Sequence, residues 1–350
     1  MVDAVILEAL LLVLLVGLLL AHVSWVRWCQ VQRAPRLARA RAALANALSA
    51  PESPGRQPGA EGLEALLGLP VSLQVQILTD LARSLGGTEK LAVAELATRA
   101  GVVARAERRL RSRLWWRRLH AARVLTVLGV GDDSMPPLLT DPHPDVRAQA
   151  AEWAADHPAP DLIESLLVLL SDPAKLCRFT AQNSLLRMGG VAVGALVGYL
   201  LCHAGAQAES ALEVAAGLAE PRFLAPALHL CHDATPRTRG LAAALLGQLG
   251  GSEAEAALLQ RLGDSEATVR AVAAQALGRL GHWPAAPALT RALRDAAWDV
   301  RREAGLALKA LGSPGVLLLR RSLSDDDVFA RDMARQVLDI PESVAARPPL

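Results

Sequence analysis

Strand-forming side chains are what this sequence has least of. One Tyr, three Phe and seven Trp make up only 3% of 350 residues. β-Branched residues are scarce, and the 52% apolar content is mostly Ala and Leu, both strong helix formers. An all-α fold is expected. Cysteine is sparse too: Cys29, Cys177, Cys202 and Cys231 show neither the short spacings of a zinc site nor the density of a disulfide scaffold, which suits a reducing compartment. Catalytic motifs are missing. The stretch GVGDDS from Gly129 to Ser134 lacks the Gly-Lys-Ser/Thr of a nucleotide loop, and neither GDSEA nor GGSEA has the closing Gly of a serine nucleophile elbow. The chain is therefore expected to be no enzyme and to take no small-molecule substrate.

Net charge is also small, at +2, but the charges are unevenly placed. Five Arg and no acid lie between Arg27 and Arg41, eight Arg and only Glu107 between Arg105 and Arg123, and everything after Arg123 nets −6. Two basic blocks precede an acidic body, so the array as a whole is not expected to bind nucleic acid.

Eighteen uncharged residues run from Ala9 to Val26, about 27 Å as a helix and close to the thickness of a bilayer core. Asp3 and Glu8 lie upstream and Trp25, Arg27 and Trp28 follow, which argues for an uncleaved anchor over a signal peptide. The five Arg on the C-terminal flank place the body in the cytoplasm and the N-terminus outside the cell membrane. Trp25 and Trp28 suit the headgroup level, and Cys29 beside them is read as an unmodified thiol, with palmitoylation the alternative. Beyond them, Pro35 to Leu48 reads as a basic helix on anionic inner-leaflet lipid, and Ser49 to Gly62 as a flexible tether. The expected organisation is an anchor over 1–28, a juxtamembrane helix and linker over 29–62, capping helices over 63–112, a repeat array over 113–340 and a tail over 341–350.

Past Arg113 one pattern recurs: an Asp, an Arg six residues on, then an Ala- and Leu-rich stretch. The pairs are Asp141 and Arg147, Asp172 and Arg178, Asp233 and Arg239, Asp264 and Arg270, Asp295 and Arg301, and Asp325 and Arg331. Most are separated by 30 or 31 residues, with one signature lost midway, where His203 and Glu209 stand. Such a unit holds two helices that cannot bury their apolar faces alone, so neighbours must stack. The Asp is expected to accept from free N–H groups at the start of the second helix, and the Arg to reach the Asp of its own or the adjacent unit, giving a structural ladder. A zinc reading of Cys202-His203 with Cys231-His232-Asp233 fails on distance. Stacked layers lie about 8–10 Å apart, against ligand bonds of roughly 2.0–2.3 Å. No cofactor or metal is expected.

These pairs, clearest in Asp264 to Gly281 and Asp295 to Gly312, resemble HEAT repeats of the short bacterial kind also found in phycocyanobilin lyase subunits, over roughly Leu114 to Ile340. The resemblance implies a right-handed α-solenoid of about seven to eight hairpins with capping helices, preceded here by the transmembrane helix. Arg118 sits at the Arg position of a preceding unit, with Ser112 in place of the Asp.

Two features exceed structural need. Eight Arg between Arg105 and Arg123, with two adjacent Trp that cannot both enter one helix's core, make Arg108, Arg109, Arg113, Trp115, Trp116 and Arg117 candidates for partner binding, the surface they form being open to an acidic patch on a partner protein, to anionic lipid headgroups or to the array's own acidic units. Trp298 lies where the other units carry turn-compatible residues, and is a candidate interface anchor. The expectation is a cytoplasm-facing membrane scaffold that binds a protein, itself in or on the membrane. By resemblance the partner is a membrane enzyme such as a polysaccharide-forming glycosyltransferase. The alternatives by resemblance are a bilin lyase-like protein, or a nucleic-acid binder using Arg105 to Arg123. The membrane helix and the acidic body weigh against both.

Overall fold

The computed structural model describes residues 15–22, 24, 25, 38, 42 and 60–341. Residues 15–22, 24 and 25 are helical, and Leu15, Leu18, Leu19, Leu20 and Trp25 are exposed. Among the described residues no helix is long and apolar enough to cross a membrane. The rest of the expected span lies outside the described residues. So do Cys29, the Arg27 to Arg41 block except Ala38, most of the tether, and the tail after Pro341. Helix begins at Ala60, so the expected linker gives way before Gly62.

Eighteen α-helices and no strand occur within residues 60–341, as the shortage of β-branched and aromatic residues implies. They divide into two compact units, one ending at Met135 and one beginning at Pro136.

The first unit holds α1 (Ala60–Leu67), α2 (Val71–Ser84), α3 (Gly87–Arg99), α4 (Val102–Leu110) and α5 (Trp115–Leu128). Their apolar stripes close on one another through Ile77 and Leu78 of α2, Val93 and Ala97 of α3, Val102 and Ala106 of α4, and Ala122 and Leu125 of α5, all buried. The helix α5 stops at Gly129, which takes a left-handed conformation (φ 69°). The next N–H, from Val130, donates back to the Leu125 carbonyl at 3.2 Å. Only glycine adopts this turn without strain. The expected array began at 113; α5 instead belongs with the first unit, because its buried face packs on α4, α2 and α3.

The second unit is a stack of seven helical pairs. These are a 3₁₀ turn (Pro136–Thr140) with α6 (Pro144–Ala154); α7 (Pro160–Leu169) with α8 (Lys175–Met188); and α9 (Gly190–Cys202) with α10 (Ala206–Leu218). Then come α11 (Leu224–Leu230) with α12 (Pro236–Leu249); α13 (Ser252–Arg261) with α14 (Ala267–Leu280); α15 (Ala286–Ala292) with α16 (Trp298–Ala310); and α17 (Ser313–Ser322) with α18 (Val328–Asp339). The second helices of successive pairs pack side by side in one layer, and most of the first helices pack in the other. Between them lies a continuous core that includes Trp153, Leu166, Leu185 and Phe223. The second helices approach closely because small residues meet: a Cβ on Gly247 would lie 2.4 Å from that of Ala276, and one on Gly278 would lie 2.8 Å from that of Ala307. The 31-residue period thus carries a packing rule as well as a charge rule.

Candidate partner-binding site

The Asp and Arg of each repeat meet in a geometry set by the turn between the two helices. Each Asp carboxylate accepts from the N–H two residues on: Asp141 from His143 at 2.9 Å, Asp172 from Ala174 at 2.8 Å, Asp233 from Thr235 at 2.6 Å, Asp264 from Glu266 at 3.0 Å, Asp295 from Ala297 at 2.8 Å and Asp325 from Asp327 at 2.9 Å. This is an Asx turn that holds the residue before the helix. Each Asp stands two residues ahead of the helix's N-cap and accepts from the N-cap residue's own N–H. Each Arg uses Nη1 on the main-chain carbonyls six and five residues back, as Arg147 does on Asp141 at 2.8 Å and Pro142 at 3.2 Å. Arg118 does the same to Ser112 at 2.9 Å and Arg113 at 3.3 Å, while the Ser112 hydroxyl accepts from the Leu114 N–H at 3.3 Å. Serine thus replaces the aspartate in the same turn.

With Nη1 committed, Nε and Nη2 point at the next unit. Arg147 forks onto Asp172 at 2.8 and 2.9 Å, Arg239 onto Asp264 at 2.8 and 2.7 Å, and Arg270 onto Asp295 at 2.7 and 2.8 Å. These are bidentate, largely desolvated pairs. Burial alone raises the carboxyl pKa of Asp172, Asp264 and Asp295. The arginine fork and the turn N–H outweigh it, and each ends below the ordinary carboxylate value.

The ladder is not continuous. Arg178 has no carboxylate ahead of it, because His203 stands there; it keeps only the carbonyls of Asp172 and Pro173. The His203 ring instead stacks on Tyr199, 3.9 Å between centroids. Glu209, in the Arg position, pairs with Arg237 of the next unit at 2.8 Å, and Asp233 accepts from the Gly205 N–H at 2.9 Å. Arg301 does not reach Asp325 as the pattern implied. Its guanidinium lies over Phe329, 4.6 Å from the ring centre, and Arg294 takes Asp325 at 2.9 Å. Arg331 closes the series on the carbonyls of Asp325 and Asp326. All six arginines thus hold their own turn, while three of them fork onto the next unit's aspartate and one lies over an aromatic ring.

The arginine block of the first unit is arranged differently. Arg108, Arg109, Ser112, Trp116, Arg117 and His120 line one surface depression. A second, adjoining one shares Arg109 and His120 and extends to Arg83 and Arg123 over Val71, Val75 and Val124. Trp115 and Trp116 are 41% and 51% exposed, and the Arg117 guanidinium sits 5.0 Å from the Trp116 ring centre. The structure therefore gathers four of the six block candidates in one groove. Arg113 and Trp115 are exposed beside it but are not part of its lining. Sequence reasoning did not single out His120, although the i, i+4 step from Trp116 puts both on one face of α5.

Trp298 opens α16, is 51% exposed and has the Arg302 guanidinium 5.8 Å from its ring centre. Trp283, Phe179 and Phe329 are exposed in the second unit as well. None was distinguished beforehand, because single aromatics on helix turns carry no spacing signal.

Residues 255–339 match HEAT repeats. The earlier turns at Asp141, Asp172 and Asp233, with Arg147, Arg178 and Arg239, fall outside that match. No curated protein matches the chain. Among solved structures, Kap121p bound to Nup53p is similar at a TM-score of 0.52 and 14% identity, over 87% of this chain and 41% of that one. The Kap95:Nup1 complex is similar at 0.50 and 13%, over 89% and 50%. The complex of CpcE and CpcF of phycocyanin lyase from Nostoc sp. PCC7120 reaches 0.31 at 21% identity, over 68% and 93%. At these identities the likeness is one of fold.

Proposed function

We propose that this chain is a membrane-anchored, cytoplasm-facing HEAT scaffold that binds a partner protein and carries out no chemistry of its own. The observation that carries the reading is the groove of α2, α4 and α5. Arg108, Arg109, Arg117 and Arg123 face solvent there with no carboxylate within ion-pair distance among the described residues, beside an exposed Trp of the kind that anchors interfaces. Two of the similar solved structures hold a bound partner protein, which supports the use of a helical stack in this way. The uncharged run from Ala9 to Val26 and the arginines after it support the anchor. A partner in or on the membrane, such as an accessory role to a membrane glycosyltransferase, fits a scaffold held in two dimensions.

The test is purification of the full-length protein in gentle detergent, wild type against a variant with Arg113, Trp115, Trp116 and Arg117 changed to Ala, with mass spectrometry of what co-purifies. A stoichiometric partner lost in the variant is the expected result. Absence of any partner from the wild type, or release of the protein from membranes by alkaline carbonate, would count against the reading.

A further inference from the structure

We propose that the groove of α2, α4 and α5 accepts an acidic amphipathic segment of the partner protein, a stretch with Asp or Glu on its flanks and aliphatic or aromatic side chains along its seam. The inference rests on the scaffold reading and adds the partner's chemistry. The two depressions share Arg109 and His120, so they form one trough, with Trp116 and Arg117 at one end and Arg83 and Arg123 at the other.

The charge in it is uncompensated. Arg108, Arg109, Arg117 and Arg123 have no carboxylate partner among the described residues, and the one acid in the lining, Asp80, is already held by Arg83 at 3.6 Å. A further positive charge lies beneath the floor. Arg105 donates from Nη2 to Gln74 Oε1 at 3.0 Å and to the Ala100 carbonyl at 2.7 Å, and its buried Nε has no partner. Like charges brought together in this way repel one another, and an anionic occupant relieves the repulsion. The cations are arginines, whose planar forks match carboxylates two bonds at a time.

The floor decides the class of occupant. Val71, Val75 and Val124 lie between the arginines, and the Trp116 ring is open at one end. A sugar–phosphate backbone would leave those valines uncovered, and a flat bilayer surface does not reach the bottom of a trough. An amphipathic segment satisfies both at once, with its apolar stripe on the valines and the Trp and its carboxylates on the rims, as in helix-in-groove recognition.

The probe is a fluorescein-labelled peptide of about 18 residues with Leu at helical a and d positions and Glu elsewhere, measured by anisotropy against the full-length protein in neutral nanodiscs. A peptide with Lys for Glu is the control. The Glu peptide is expected to bind, to weaken about tenfold or more on an Arg109→Glu, Arg117→Glu double variant and several-fold on Trp116→Ala, and to weaken with salt between about 50 and 300 mM. The Lys peptide is expected not to bind. Circular dichroism melts of the variants, whose changes are all at exposed positions, establish that they fold. Equal binding to wild type and the double variant, or no binding to wild type, overturns the proposal. So does displacement of the peptide by phosphatidylserine vesicles or by a single-stranded thymidine oligomer at matched charge. A stoichiometric partner retained by the double variant would overturn the groove as its site while leaving the scaffold reading intact; a wild type without any partner would overturn the scaffold reading itself.

Discussion

Replacing Arg147 by Ala removes four hydrogen bonds at once: the fork onto Asp172 at 2.8 and 2.9 Å and the two carbonyl contacts at 2.8 and 3.2 Å. The Asp172 carboxylate, 7% exposed, is then stranded with the Ala174 N–H. Breaking a buried pair in this way costs about 3–5 kcal/mol, and the upper half of that range is expected here. Arg239→Ala should fall at the lower end, because Asp264 keeps Arg261 at 3.2 Å as well as the Glu266 N–H. Arg178→Ala strands no carboxylate and forfeits only two carbonyl contacts, worth about 1–2 kcal/mol together once water reaches the turn. The order Arg147 above Arg239 above Arg178 is therefore expected, with about 2 kcal/mol or more between first and last. Urea unfolding followed at 222 nm on the full-length protein reads the differences, and hydrogen exchange in α6 and α8 locates the first. Arg147→Lys should recover little, since an ammonium cannot make the fork. Equal losses at Arg147 and Arg178, within about 0.5 kcal/mol, would refute the claim that the inter-unit fork rather than the turn contact carries the energy.

Gly247→Ala forces a methyl to within 2.4 Å of Ala276 Cβ and should cost about 1–3 kcal/mol, whereas Gly240→Ala, on the same helix and facing open space, should be neutral or stabilising by up to about 1 kcal/mol; thermal melts separate them. Asp172, Asp233, Asp264, Asp295 and Asp325 all titrate below a free carboxylate. Their stabilisation is complete above the unfolded value of about 3.9 and is lost as pH falls through the lower folded values. Melting temperature should drop steeply below about pH 4, and less steeply in Arg147→Ala. Among the thiols of the described residues, only exposed Cys202 should react with iodoacetamide at pH 8 in the native protein. Burial shuts off Cys177 and Cys231, and pushes the latter's pKa to about 11; peptide mapping checks it. Trp298→Ala should leave the melting temperature unchanged, as expected for an exposed side chain.

The ladder was legible because its two bonding distances are fixed in sequence: Arg147 binds the carbonyl six residues back and the carboxylate 25 residues ahead, and a period of 31 residues repeats both. What the period does not encode is competition for the same acceptor. Arg294 takes Asp325, and Arg301 lies over Phe329 instead. The position of an Asx turn relative to a helix start likewise depends on one residue of backbone, finer than any pattern in composition. In the groove, the excess of arginine was visible at once, but the valines of α2 were not. They come from Val71 and Val75, some forty residues earlier, and only packing brings them under Arg109 and His120.

The gap in the ladder at His203 bears on how the second unit yields. A bidentate fork fixes direction as well as distance, so layers joined by Arg147, Arg239 and Arg270 resist both separation and sliding. Between α8 and α10 no fork exists. The polar links include Gln182 to Glu213 at 2.6 Å and to the Ser210 carbonyl at 3.4 Å, and Ser171 with Tyr199 of α9 at 3.3 Å; beside them lies apolar contact, which opposes separation but offers less resistance to shear. The stack is thus stiffest where the forks stand, between α6 and α8 and from α12 to α16, and a load applied across it, thermal or mechanical, concentrates its strain at the junctions without one, the α8–α10 seam among them.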